Sequence, residues 1–298
     1  MRPFLRSPEG LLYGTGALLC VSGLLHMIVW GFMGGEWEGA ISWRKPILFG
    51  FSSGLTAISL GWLMPKLRPG HWDGAISGLF CLAITGEVGL ITFQQWRGVA
   101  SHFNRSTPFD AQIETGMTLL ISVVFLTLLE LTRRSFQSLN TTIDLKRSIR
   151  FGLTFLILSC VIGFAIAAHG NQQLANGNDP AIVGEAGVAK FPHGLAIHAI
   201  QIFPLICFFM RKAGMPEGMR KDQITWCILS MTFFLIYSVL QTSRGRARFD
   251  FDVISLVPLV LSLLVVLPPI FLALRSAYQQ MIRGRDISSI SLPRDTLG

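Results

Sequence analysis

Glu87-Val-Gly-Leu-Ile-Thr-Phe-Gln-Gln-Trp-Arg97-Gly-Val-Ala-Ser-His-Phe-Asn104 is an apolar helix that carries a carboxyl group inside it and then empties into a polar mouth. A carboxyl group in hydrocarbon costs roughly 2.5–3.5 kcal/mol on insertion scales, so such a residue is normally partnered and often functional. Outward from this stretch, the chain divides into eight apolar segments: Leu11–Gly34, Pro46–Met64, Gly74–Trp96, Ile113–Leu131, Ile149–Ala168, Pro192–Met210, Ile224–Thr242 and Val253–Leu274. Each is long enough to cross roughly 30 Å of hydrocarbon at about 1.5 Å per residue. The predicted fold is all-α: a polytopic membrane helix bundle of eight transmembrane helices, with residues 1–298 forming one membrane domain. Prolines 204, 258, 268 and 269 place kinks in the sixth and eighth spans, where neighbouring helices must satisfy the freed carbonyls.

Composition leads to the same class. Apolar residues make up 51% of the chain and charged ones only 14%, outside the range of a soluble domain of this length. The formal charge of +8 does not indicate nucleic acid, because the basic residues fall in short clusters between apolar runs. The lipid bilayer is the partner such a chain requires. All five cysteines lie inside apolar runs, without a Cys-x-x-Cys pair, and read as packing residues. Arg2 and Arg6 before an apolar run outline a signal sequence, yet Leu11–Met33 is long enough to span and lacks a small-x-small cleavage site, so it is read as the first helix.

Lys and Arg separate unevenly onto the two sides of this topology. Arg44, Lys45, Arg97, Arg105, Lys190, Arg244, Arg246 and Arg248 fall on one side, and the other 17 of the 25 on the opposite side. By the positive-inside rule both termini are cytoplasmic, in a multi-pass protein of the cell (inner or plasma) membrane. Most of the eight outer basic residues stand at helix mouths, where they either snorkel to lipid phosphates or converge on an anionic ligand.

The mouths also suggest a duplication. Gln94-Gln-Trp-Arg97-Gly98 closes the third span, and Gln241-Thr-Ser-Arg244-Gly245 closes the seventh, 147 residues later. Lys45-Pro46 opens the second span and Lys190-Phe-Pro192 the sixth. Four spans separate the copies, so repeats over 11–134 and 149–276 would share one orientation, related by an axis along the membrane normal.

Counting from the outer helix ends puts His26, Glu87 and His198 at comparable depth, with Gln94 two turns above Glu87 and Gln201 one turn from His198. Tyr237, Gln241 and Arg244 form another polar stripe, and the loop after the third span adds His102 and Asn104. His193 stands about 140° around its helix from His198, so those two are not a chelating pair. The bland reading is that each histidine is neutral and satisfied by Ser, Gln or a carbonyl, and that Glu87 is protonated or paired.

Three functional readings share these residues. A carrier for a small anionic or amphipathic solute would bind it with Arg44, Lys45, Gln94, Arg97, His102, Asn104, Lys190, Gln201, Tyr237, Gln241 and Arg244, and relay protons through Glu87 and histidine. A redox protein would hold haem b on His26 and His198, or a metal ion on His26, His198 and Glu87. A lipid- or isoprenoid-modifying enzyme would use Glu87 and His198 as catalytic acid and base. The short cytoplasmic loops carry no phosphate loop, serine elbow or zincin motif, which argues against ATP-driven chemistry in this chain.

Overall fold

The computed structural model describes the backbone of residues 7–290, and the side chains in that range except at 277, 280, 281 and 283–290. Arg2, Arg6 and Arg294 of the charge count, and the side chains of Arg283 and Arg285, lie outside the described residues. The helices are α1 (Pro8–Met33), α2 (Arg44–Leu63), α3 (Asp73–Trp96), α4 (Pro108–Gln137), α5 (Ile143–Ala175), α6 (Lys190–Ala196), α7 (Ala199–Lys212), α8 (Glu217–Ser243) and α9 (Val253–Ile290). With α6 and α7 taken as one span, eight helical units among the described residues are long and apolar enough to cross a membrane. The chain is an all-α polytopic bundle. Among the described residues its sheet is a two-stranded antiparallel hairpin, β1 (Ile182–Val183) with β2 (Gly187–Val188).

Connections alternate between two ends of the bundle. One end, called here the long-loop face, carries segments 34–43, 97–107, 176–189 and 244–252; the other carries 67–72, 138–142 and 213–216. Helix starts follow local chemistry. The Ser7 hydroxyl accepts the Gly10 N–H at 3.1 Å ahead of α1, with Pro8 in the first turn. Thr107 does the same ahead of α4: its hydroxyl accepts the Asp110 N–H at 3.1 Å and donates to the Asp110 carboxylate at 2.7 Å. That cap and Pro108 start α4 five residues before the apolar run at Ile113.

The sixth span differs from the continuous helix expected over Pro192–Met210. It stops at Ala196 and restarts at Ala199, with His198 at φ −97° and ψ 6°. Pro204, one turn further along, has no N–H with which to bond the Ile200 carbonyl. Just beyond the break, the Gln201 and Ile202 N–H groups both donate to the His198 carbonyl, at 3.1 and 3.0 Å. This is a discontinuous span with its interruption near the long-loop face.

Packing organises the spans into two sets. Helix α1 lies on α2 and α3, and α3 on α4; α5 lies on α6, α7 and α8, and α8 on α9. Contacts of α4 with α5 and of α2 with α7 join the sets. The closest approach within the first set uses small residues: a Cβ on Gly54 would sit 2.8 Å from the Gly16 carbonyl, and one on Gly50 2.9 Å from the Gly23 Cα. One apolar core runs through Leu12, Leu60, Phe80, Leu128 and Leu153, and another through Phe155, Phe203, Cys207 and Ile228. Outward, Leu18, Leu25, Phe32, Leu126, Leu263 and Phe271 are exposed along whole helices. An apolar surface of that extent requires lipid rather than water around it.

Candidate functional site

Glu87 lies in the body of α3 and is only 4% exposed. One of its carboxyl oxygens, Oε1, is 3.9 Å from His102 Nε2; the other, Oε2, is buried without a hydrogen-bond partner. His102 comes from the loop after α3. Its Nδ1 is 2.9 Å from the Ser101 hydroxyl, and its ring stacks on Phe49 of α2 with centroids 5.9 Å apart. Burial pushes the His102 imidazole down to about 4, and Lys45 of α2 and Lys190 of α6 act in the same direction, so the ring is neutral at pH 7. Although protein surrounds it, the His102 side chain keeps 35% of its surface accessible.

The two lysines stand at the starts of α2 and α6, one in each set of spans. The Lys45 ammonium donates to the Ala40 carbonyl, while Lys190 makes no ion pair among the described residues. Arg44 beside them is paired with Glu38 at 2.5 Å. A buried carboxyl group, a neutral imidazole and two incompletely neutralised ammonium groups therefore follow one another toward the long-loop face. Such a sequence attracts an anion at its rim and offers a proton acceptor and donor beneath it.

The remaining expected ligand residues are engaged elsewhere. Arg97 pairs with the buried Asp110 at 2.6 Å and also donates to Gln94, whose amide donates to the same carboxylate at 3.0 Å. Phe93 and Phe109 flank the Arg97 guanidinium. Arg244 pairs with Asp252 at 2.6 Å, and Gln241 donates to the carbonyls of Asp250 and Ala247 at 2.7 and 3.2 Å. The Tyr237 hydroxyl donates to the Arg248 carbonyl, and the Asn104 amide to the Ala100 carbonyl at 3.0 Å. Gln201 donates to Thr56 of α2 at 3.4 Å, a contact across the two sets of spans. Each of these groups has a partner within the chain that ties a loop or a helix end.

The two Gln-x-x-Arg-Gly endings share backbone geometry. Gly98 and Gly245 have φ of 67° and 68°, the left-handed conformation that closes a helix most readily with glycine. The Val99 N–H bonds the Gln94 carbonyl at 3.1 Å, and the Arg246 N–H bonds the Gln241 carbonyl at 3.0 Å. In both, the arginine then reaches an aspartate at the head of the next helix.

His26 does not join Glu87. Its Nδ1 bonds the Ser22 carbonyl at 2.7 Å and its Nε2 accepts the Trp96 indole N–H at 3.1 Å, with Trp43 packed alongside. Both ring nitrogens are hydrogen-bonded within the chain. Among the described residues no three His, Cys, Asp or Glu side chains, the set of His26, Glu87 and His198 included, are grouped so as to hold a metal ion. His198 caps the start of α7, and its neighbour His193 bonds the Ser159 carbonyl of α5 at 2.8 Å.

Two residues of the site had no signal in the sequence. Phe49 supplies the aromatic wall beneath His102. Phe103, next to His102, takes a left-handed φ of 59°, a strained conformation for an aromatic residue. Compared with protein-family models, with curated proteins and with solved structures, the chain gives no match.

Proposed function

We propose that the chain carries a small anionic or amphipathic solute across the bilayer, with Lys45 and Lys190 drawing in the anion while Glu87 and His102 handle a proton. One observation carries this reading: a buried carboxyl group with an unpartnered oxygen faces a neutral histidine, beneath lysines contributed by both sets of spans. Carriers bind their solute between repeats and beside interrupted helices, and here Lys190 begins the interrupted sixth span. The matching helix ends at Gly98 and Gly245 support two parallel four-helix repeats, 11–134 and 149–276. Charge asymmetry supports a cell-membrane protein with both termini cytoplasmic and the long-loop face outward.

The test is flux in proteoliposomes. Radiolabelled short-chain carboxylates and phosphate esters are offered with and without a pH gradient, to the wild type, Glu87→Gln and Lys45→Ala/Lys190→Ala. Gradient-driven uptake that becomes gradient-insensitive in Glu87→Gln and weakens severalfold in the lysine variant supports the reading; no gradient-sensitive flux of any of these solutes rejects it. Acid–base chemistry on a lipid by the same pair is the second reading, favoured by a carboxyl group inside the span that faces a histidine from the loop at one face. In that case the solute would emerge covalently changed.

A further inference from the structure

We infer that Phe103 is the positioning residue that aims His102 at Glu87, and that Gly170 of α5 is the socket that holds it there. This rests on the proposed site, and names what sets its geometry. The Phe103 ring lies directly on Gly170: a Cβ added to that glycine would fall 2.4 Å from Phe103 Cε1 and 2.5 Å from Cζ. Gly170 is itself buried. Because the ring occupies the place of a side chain on α5, the backbone one residue past His102 is drawn into the left-handed region. Strain of that kind costs on the order of 1–3 kcal/mol and persists only where surrounding contacts impose it.

The rest of the loop is closed on itself and on the first set of spans. Asn104 accepts from the Ser106 hydroxyl at 2.7 Å, Arg105 pairs with Glu114 at 3.2 Å, and Arg97 and Thr107 both hold Asp110. Phe103 takes this loop across to α5 of the second set. On the other side of the contact, His169 next to Gly170 bonds the Ile182 carbonyl of the hairpin at 3.1 Å. Neighbouring residues of α5 thus hold both the loop that bears His102 and the segment that leads to Lys190. The end of α5 is a common post for the two halves of the site, and a shift in its position moves the imidazole relative to both the carboxyl group and the ammonium rim.

The groups facing His102 are Glu87 from α3, Lys45 from α2, Lys190 from α6 and Ser101 from its own loop. The imidazole therefore reports its own placement. The experiment is histidine-labelled nitrogen NMR of the purified full chain, with the His102 signals identified by their absence in His102→Asn. In the wild type they should stay neutral until the pH nears 4. In Gly170→Ala, where the ring must leave its socket, the midpoint should move up toward 6.5. The double variant Gly170→Ala/Phe103→Leu, which makes room for the new methyl group, should bring it back down, and it also serves where the single variant folds poorly. Phe103→Gly keeps the left-handed backbone but removes the ring, and should behave like Gly170→Ala.

An unchanged His102 midpoint in folded Gly170→Ala or Phe103→Gly would overturn the inference, and so would an ordinary midpoint in the wild type. Failure of transport leaves this titration result intact. Conversely, an unmoved midpoint alongside gradient-driven flux would remove the positioning role and leave the carrier reading standing.

Discussion

Helix α3 carries two acid sites within a few turns of each other, and they are built in opposite ways. At its end, the Asp110 carboxylate from the next helix is held by Arg97, Gln94 and Thr107, so both of its oxygens accept hydrogen bonds. Lower down, Glu87 is as deeply buried, yet one oxygen meets His102 only at 3.9 Å and the other has no partner. A buried charge that serves the fold is surrounded by donors, because an incompletely satisfied one is costly. A buried acid kept short of partners is retained at a cost to stability, and that cost points to a ligand or a proton.

Breaking the satisfied site should have the larger effect on stability. Asp110→Ala leaves the Arg97 guanidinium and the Gln94 amide without their common acceptor and removes the N-terminal carboxylate of α4. The apparent Tm in detergent should fall by on the order of 10 °C. Asp252→Ala removes the corresponding partner of Arg244 in the second set, where the pair is more exposed, and should lower Tm by roughly a third as much. Equal losses would show that burial does not distinguish the two helix ends.

Glu87→Gln sharpens the contrast from the other direction. It replaces a carboxyl group short of partners with a neutral amide of the same shape, so Tm should hold or rise while pH-gradient-driven flux is lost. A Tm loss as large as that of Asp110→Ala would mean that Glu87 holds the fold after all, and would remove the basis for the carrier reading.

Depth and side explain what was legible in the sequence. Hydropathy gave all eight spans because lipid imposes the same requirement along each of them. Lys45, Lys190, Glu87 and His102 could be nominated because a charged or titratable group beside hydrocarbon is rare. Facing partners could not be. Counting along a helix put His26 level with Glu87, but the chain turns the His26 ring to Trp96 and Trp43 instead. Arg97 reads in the sequence as a cation at a mouth, and whether it meets an anionic ligand or Asp110 depends on how residues 98–107 fold. The interruption at Ile197 and His198 was hidden because Pro204, its nearest sequence signal, lies beyond it. Phe103 gave no hint, since the empty place it fills belongs to a glycine 67 residues away.

Among the expected losses, the histidine that bonds a tryptophan should show one of the smaller ones. Trp96→Phe keeps most of the apolar contact and deletes the indole N–H that Nε2 of His26 accepts. A single neutral hydrogen bond of this kind is worth about 1 kcal/mol, so a Tm fall of a few degrees is expected, with flux unaffected. Loss of flux with little loss of stability would make His26 part of the transport path and blur the distinction between satisfied and unsatisfied sites.

The smallest effect is also the most direct reading of the open site. His102 has a folded-state value near 4 against 6.5 for an ordinary imidazole, so between those values the unfolded chain binds more protons than the folded one. Its contribution is fully present above pH 6.5 and is lost as the pH falls toward 4. Asp252, whose carboxyl group is held low chiefly by Ser255, loses its own contribution only at more acid pH, so the two can be separated. Since the His102 ring keeps part of its surface accessible, the slope should be shallow. Measured as Tm from pH 7 to pH 4.5, the wild type should lose more stability than His102→Asn, in which nothing at that position can take up the proton. Parallel profiles would place His102 in ordinary solvent and remove the contrast between Glu87 and Asp110.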